Sequence, residues 1–162
     1  MKRLTLVLAL ALPLLAGCGG TGGAADGRPT VVTSFYPLQY VAQRVAGRHA
    51  DVVNLTQPGK EPHDLEMTVR QTAELVDADV VVYERGFQAA VDEAVDQSSL
   101  QHVVDASGPA RVTGADPHFW LDPTRLDAVA TAVESELAQA DPRHAADYRR
   151  NLAGLHHDLT AL

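Results

Sequence analysis

Asp79-Val80-Val81-Val82-Tyr83 is a near-continuous run of β-branched residues in which polar and apolar positions do not alternate. Such a strand suits a sheet covered on both faces, as parallel sheets are. Upstream, Val69, Ala73, Leu75 and Val76 are the expected buried stripe of a helix, and downstream Phe87 to Val95 reads as another. Further out, Val31 to Phe35, Asp51 to Thr56 and His102 to Asp105 read as strands. Between the first two of these, Pro37 opens a helix with Leu38, Val41, Ala42 and Val45 at helical spacing, and Gly47 ends it. Strands alternating with helices in short units predict the α/β class, a parallel sheet flanked by helices. Gln57 to Glu66 and Ser107 to Pro117 are the expected loops.

Two helices follow. Asp122-Pro123 and Asp141-Pro142 each place a capping carboxylate before a proline at the first helical position. The first helix is expected to bury Leu126, Val129, Val133 and Leu137, and the second Tyr148, Leu152, Leu155, Leu159 and Leu162. The second stripe stays in phase to the last residue, with no Gly, Asn or Pro stop signal after it. It predicts a helix, and a sequence, that continue past Leu162; fraying at a true C-terminus is the alternative.

The amino terminus reads as an export signal. Lys2 and Arg3 precede an apolar run, Leu4 to Leu15, that is shorter than the ~20 residues a spanning helix needs. The run ends in Leu15-Ala16-Gly17-Cys18, which resembles the bacterial lipoprotein signal, with Cys18 as the lipidation site and first mature residue. The chain has a single cysteine, so an internal disulfide and a thiolate metal site in the mature fold are both excluded. Gly19 to Pro29, rich in small residues and without periodicity, is the expected flexible tether. The expected organisation is a signal peptide over 1–17, a tether over 18–29, an α/β lobe over 30–140 and a further helix from 141 to 162. The formal charge of −8 becomes more negative by two when Lys2 and Arg3 leave with the signal. An acidic chain argues against nucleic acid as a partner.

Histidine carries the sharpest chemical signal, with seven in the chain and no thiol to compete. His49, His102 and His144 sit at element starts, and the adjacent His156 and His157 point about 100° apart on a helix, so these five read as structural or solvated. His63 and His118 differ. Each follows a proline, in Glu61-Pro62-His63-Asp64 and Asp116-Pro117-His118-Phe119, and proline stiffens the segment that presents the ring. Each also has carboxylates beside it, Glu61 and Asp64 for the first, Asp116 and Asp122 for the second, that can orient an imidazole through its second N–H. The His63 loop follows a strand, and ligands of open parallel sheets bind outside the strands' carboxyl ends. Residue chemistry leaves two readings open, one shared metal site or two separate loop histidines.

Other chemistries lack their residues. Tyr36-Pro37-Leu38 stands where a dinucleotide site needs glycines, and Gly-x-Ser-x-Gly, phosphate-loop and His-Glu-x-x-His motifs are absent. Glu61 is the best candidate for a general base if the site were a metal-dependent hydrolase.

The order of these segments resembles the zinc and manganese solute-binding lipoproteins of bacterial ABC transporters. Val31 to Leu38 looks like that family's first strand and turn, Pro58-Gly59-Lys60-Glu61-Pro62-His63-Asp64 its first ligand loop, and Asp77 to Tyr83 its third strand. Asp116-Pro117-His118-Phe119-Trp120-Leu121-Asp122-Pro123 looks like the second ligand loop, and Asp141-Pro142 with Tyr148 and Asn151 the start of the helix that links two lobes. The resemblance implies that His63 and His118 are metal ligands from the amino-terminal lobe, and that the remaining ligands come from a second lobe beyond Leu162. It implies an extracytoplasmic, lipid-anchored protein, attached through acylated Cys18, that hands a divalent metal ion to an ABC permease and catalyses nothing. The His- and acid-rich loop often found in zinc members is missing from Ser107 to Ala115, which leaves the metal open; zinc is preferred because it suits imidazole nitrogen, and manganese is the alternative. Two ligands half-fill a tetrahedral shell, so weak binding by residues 19–162 is expected, and affinity should fall below about pH 6.5 as imidazole protonates. Some relatives were described as adhesins, so a surface-scaffold role is the alternative.

Overall fold

A computed structural model describes residues 27–162. The expected signal peptide, Cys18 and most of the tether lie outside the described residues. Four short strands, β1 (Thr30–Thr33), β2 (Asp51–Asn54), β3 (Val80–Tyr83) and β4 (Val103–Asp105), form one parallel sheet in the order β2-β1-β3-β4. Helices α1 (Tyr36–Ala46), α2 (Val69–Val76), α3 (Ala89–Asp96), α4 (Pro123–Ala140) and α5 (Ala145–Thr160) complete the chain, with 3₁₀ turns at Phe119–Leu121 and Pro142–His144. The predicted α/β class is the observed one.

The pleat divides the core in two. Val31, Val80, Val82 and Val104 pack with α1, α4 and α5, while Val32, Val81 and Tyr83 pack with Leu75, Ala78, Val91 and Ala94 on the α2 and α3 side. All four residues of β3 are buried, which is why its sequence shows no alternation. Helix α1 buries Leu38, Val41, Ala42 and Val45 as expected, and Gly47 ends it at φ 58°. A Cβ at Gly47 would stand 2.8 Å from the Asn151 side chain, whose Nδ2 donates to the Val45 carbonyl. Glycine there therefore lets α5 seat against the end of α1.

Three sequence expectations need correcting. In α2 only Leu75 of the expected stripe is buried; Ala73 and Val76 are exposed and Val69 is 91 % exposed. The helix instead turns Gln71 inward, where its Nε2 donates to the Leu55 carbonyl and its Oε1 closes a capping box with Thr68. Asp122 caps α4 by accepting from the Thr124 and Arg125 amides, but Asp141 does not cap its own turn. It is buried and accepts from the His144 ring, the Tyr148 hydroxyl and the Arg143 guanidinium. Finally, Tyr148, Leu155 and Leu159 join the core with Leu152 against its edge, while α5 ends at Thr160 and Leu162 is exposed.

Candidate metal centre

Because all four strands are parallel, the loops that follow them emerge at one edge of the sheet. The loop after β2 carries His63 and the one after β4 carries His118, and their ring centres lie 5.7 Å apart. Two imidazoles held by one tetrahedral zinc through nitrogens at about 2.0–2.1 Å would have ring centres roughly 5 Å apart. The observed separation fits a shared ion with little movement.

The two loops are built alike. Gly59 and Gly114 turn the chain at φ 78° and 81°, and Pro62 and Pro117 then fix the approach to each histidine. Glu61 Oε1 lies 2.5 Å from Nδ1 of His63 and also accepts from its backbone N–H. Asp116 Oδ1 lies 2.7 Å from Nδ1 of His118 and likewise accepts from its backbone N–H. The hydrogen bond from the His63 ring, then the one from its backbone, holds Glu61 below its ordinary range. Asp116 is lowered by the backbone N–H of His118 and then by its ring. An ionised carboxylate can only accept, so in the neutral ring each Nδ1 donates and each Nε2 keeps its lone pair. Both side chains are close to half exposed. Of the four carboxylates expected to orient the rings, Glu61 and Asp116 do so. Asp122 is committed to capping α4, and Asp64 makes no hydrogen bond or ion pair with either ring among the described residues.

Residues to which the sequence assigned no role of their own in the site hold this arrangement from below. Phe35, Phe87 and Trp120 form an aromatic floor, with ring centres 4.7 to 5.7 Å apart. His63 stands edge-on to Phe87 at 4.5 Å and His118 edge-on to Trp120 at 5.0 Å. Gln88, buried at the start of α3, donates through Nε2 to the Pro62 carbonyl at 2.8 Å and to the Thr56 hydroxyl at 3.2 Å. Thr56 in turn donates to the Ser34 carbonyl at 2.7 Å. The ends of β1, β2 and β3 are thus laced together beneath the His63 loop. Position alone could have flagged Phe35 and Gln88, since both fall just after strands at the carboxyl edge.

His63, Glu84 and His118 share a cavity of about 400 Å³. Burial, and then the charges of Asp105 and Asp116, push Glu84 up to about 8. Among the described residues, no three His, Cys, Asp or Glu side chains converge closely enough to hold an ion directly. A shared ion would take two nitrogen donors from this pair and leave the rest of its coordination shell open.

Comparison with known proteins places the chain among metal receptors. It is 30 % identical over 167 residues to the manganese-binding lipoprotein MntA of Halalkalibacterium halodurans, an alignment covering 97 % of this chain and 55 % of that one. It superposes on the Zn(II)-bound ZnuA-like domain of Streptococcus pneumoniae AdcA with a TM-score of 0.76, at 28 % identity, over 83 % of this chain and 53 % of that one. The laminin-binding protein Lmb of Streptococcus agalactiae, described as having adhesin and metal-transporting activity, superposes with a TM-score of 0.72 at 30 % identity, covering 83 % and 53 %. The chain spans between about a third and about half of the length of the curated relatives it matches. The family model described as zinc-uptake complex component A, periplasmic, matches residues 31–162, and the chain belongs to that ZnuA family of metal-binding receptors.

Proposed function

We propose that this protein captures a divalent metal ion outside the cytoplasmic membrane and delivers it to an ABC permease for uptake. The observation that carries the reading is the matched pair, His63 and His118, each with Nδ1 spent on a carboxylate and Nε2 available. Imidazole nitrogen suits zinc, so zinc is the first cargo to test and manganese the second. Residues 30–140 would form the lobe that offers this pair, and the chain from Asp141 would begin the link to a second lobe that supplies the remaining ligands. Acylation at Cys18 would tether the receptor to the membrane that holds its permease.

The family consists of uptake-complex components, which supports binding without turnover. Glu61, the one candidate for a general base, is a poor proton acceptor because His63 already donates to it twice. A role in adhesion is the second reading, and the laminin-binding neighbour favours it.

Zinc titrated against a chromophoric chelator tests the proposal. His63→Ala and His118→Ala should each weaken binding at least about tenfold. Wild-type affinity in both variants would overturn it. Two donors leave the shell half open, so residues 19–162 should bind zinc weakly; tight one-to-one binding indifferent to His63→Ala would contradict that. Surface display with laminin binding in cells that take up metal normally without the protein would favour adhesion.

A further inference from the structure

Glu84 directly follows β3, on the floor of the cavity between the two histidine loops. The residue is 3 % exposed, and its Oε2 is sealed from solvent with no hydrogen-bond partner. The nearest cation in sequence does not neutralise it, since Arg85 turns away to Asp96 at 2.7 Å and toward Asp105 at 3.9 Å. A buried carboxyl without a partner is costly, and this one sits where a cation is expected. The three side chains do not converge closely enough for direct ligation. The cavity, however, has room for an ion that keeps some of its water.

We propose that Glu84 is a positioning and specificity residue that accepts a hydrogen bond from water bound to the ion held by His63 and His118. The proposal rests on the reading of those histidines as the metal pair. A small turn of the carboxyl into the cavity it lines would let a metal-bound water donate to Oε2, supplying the missing partner and setting a carboxyl oxygen opposite the two imidazoles. Ions that keep more oxygen ligands depend more on such a contact, so Glu84 should favour manganese over zinc.

Manganese and zinc affinities of the wild type and of Glu84→Gln, measured by chelator competition at one pH, test this. The glutamine variant should lose about 10- to 100-fold in manganese affinity, and at least about fivefold less in zinc affinity. Unchanged affinities, or equal losses for both ions, would overturn the proposal, since a merely structural role would not alter their ratio. If Glu84→Gln does not fold, the wild-type protein serves. Paramagnetic manganese should broaden the Glu84 carboxyl carbon resonance together with the rings of His63 and His118. Broadened rings with a sharp Glu84 signal would overturn it too. If His63→Ala and His118→Ala bind both ions as the wild type does, the metal pair itself is refuted and this inference with it. Loss in those variants alongside an unaffected Glu84→Gln refutes the inference alone.

Discussion

Histidines meet at both edges of the sheet, and the two meetings differ in how the rings face each other and how far they are exposed. At the carboxyl edge, His63 and His118 are tilted by 51° with ring centres 5.7 Å apart, and each is engaged through Nδ1 alone. At the amino edge, His49 and His144 stack 4.2 Å apart at 26°. There His144 binds Asp141 through Nδ1 at 2.5 Å, and Nε2 of His49 approaches Asp147 at 3.6 Å. Tyr148, fully buried, donates to the same Asp141 oxygen at 3.0 Å. Proximity of imidazoles alone is therefore no sign of a metal site in this fold. Rings stacked nearly parallel cannot turn their nitrogens toward one ion, whereas the tilted and more exposed carboxyl-edge pair could.

Removing Asp141 should produce the largest effect. Asp141→Ala removes the acceptor shared by Tyr148, His144 and Arg143, leaving the Tyr148 hydroxyl only the 3.4 Å contact to the His49 carbonyl, and should cost about 3 kcal/mol of unfolding free energy in denaturant titration. Zinc affinity should stay within about twofold; a larger change would mean that the edges are coupled and the contrast is false. Next in size, the double variant His63→Ala/His118→Ala should weaken zinc binding about 100-fold or more, with little change in the unfolding midpoint. His49→Ala/His144→Ala should do the reverse, so a metal-binding defect in this second pair would break the comparison outright.

Acid separates the edges as well. Although burial acts to raise it, Asp141 is held below its ordinary value by hydrogen bonds from His144, Tyr148 and Arg143. A carboxyl depressed by folding contributes stability above its unfolded value, near 3.9, and loses it as pH falls through the folded one. Metal binding should be lost first, because protons compete with a metal ion for imidazole nitrogen. As pH falls the protein should thus release zinc before it unfolds, which circular dichroism and a chelator assay on one sample would show. Asp141→Asn should flatten the acid limb of unfolding. The smallest effect is expected from Gln88→Leu. Loss of its bonds to Pro62 and Thr56 should loosen the His63 loop and weaken zinc binding a few-fold, up to about tenfold. An unaltered affinity would show that proline alone fixes the loop.

Much of this was legible in the residues. Covered strands of Val, the Asp122 cap and the two Pro-His loops follow from local chemistry, and so did the carboxylates that hold each ring. Failures came where a tertiary partner decides. Asp122-Pro123 and Asp141-Pro142 look the same in sequence, yet one carboxylate caps a helix while the other serves Tyr148 and His144. Val69, Ala73 and Val76 make a plausible stripe, but the Leu55 carbonyl draws Gln71 inward and turns them to solvent. Glu84 is one acid among many until the fold seals it beside the histidines.

His63 and His118 leave the sheet from β2 and β4, with α2, β3 and α3 in the chain between them. An ion held by both rings would be a removable cross-link across that whole stretch. An ion that binds the folded chain alone would add about 2.7 kcal/mol at 100 times its dissociation constant and nothing when metal is scarce. Since proteolysis follows the open population, the receptor's lifetime would rise and fall with its own cargo.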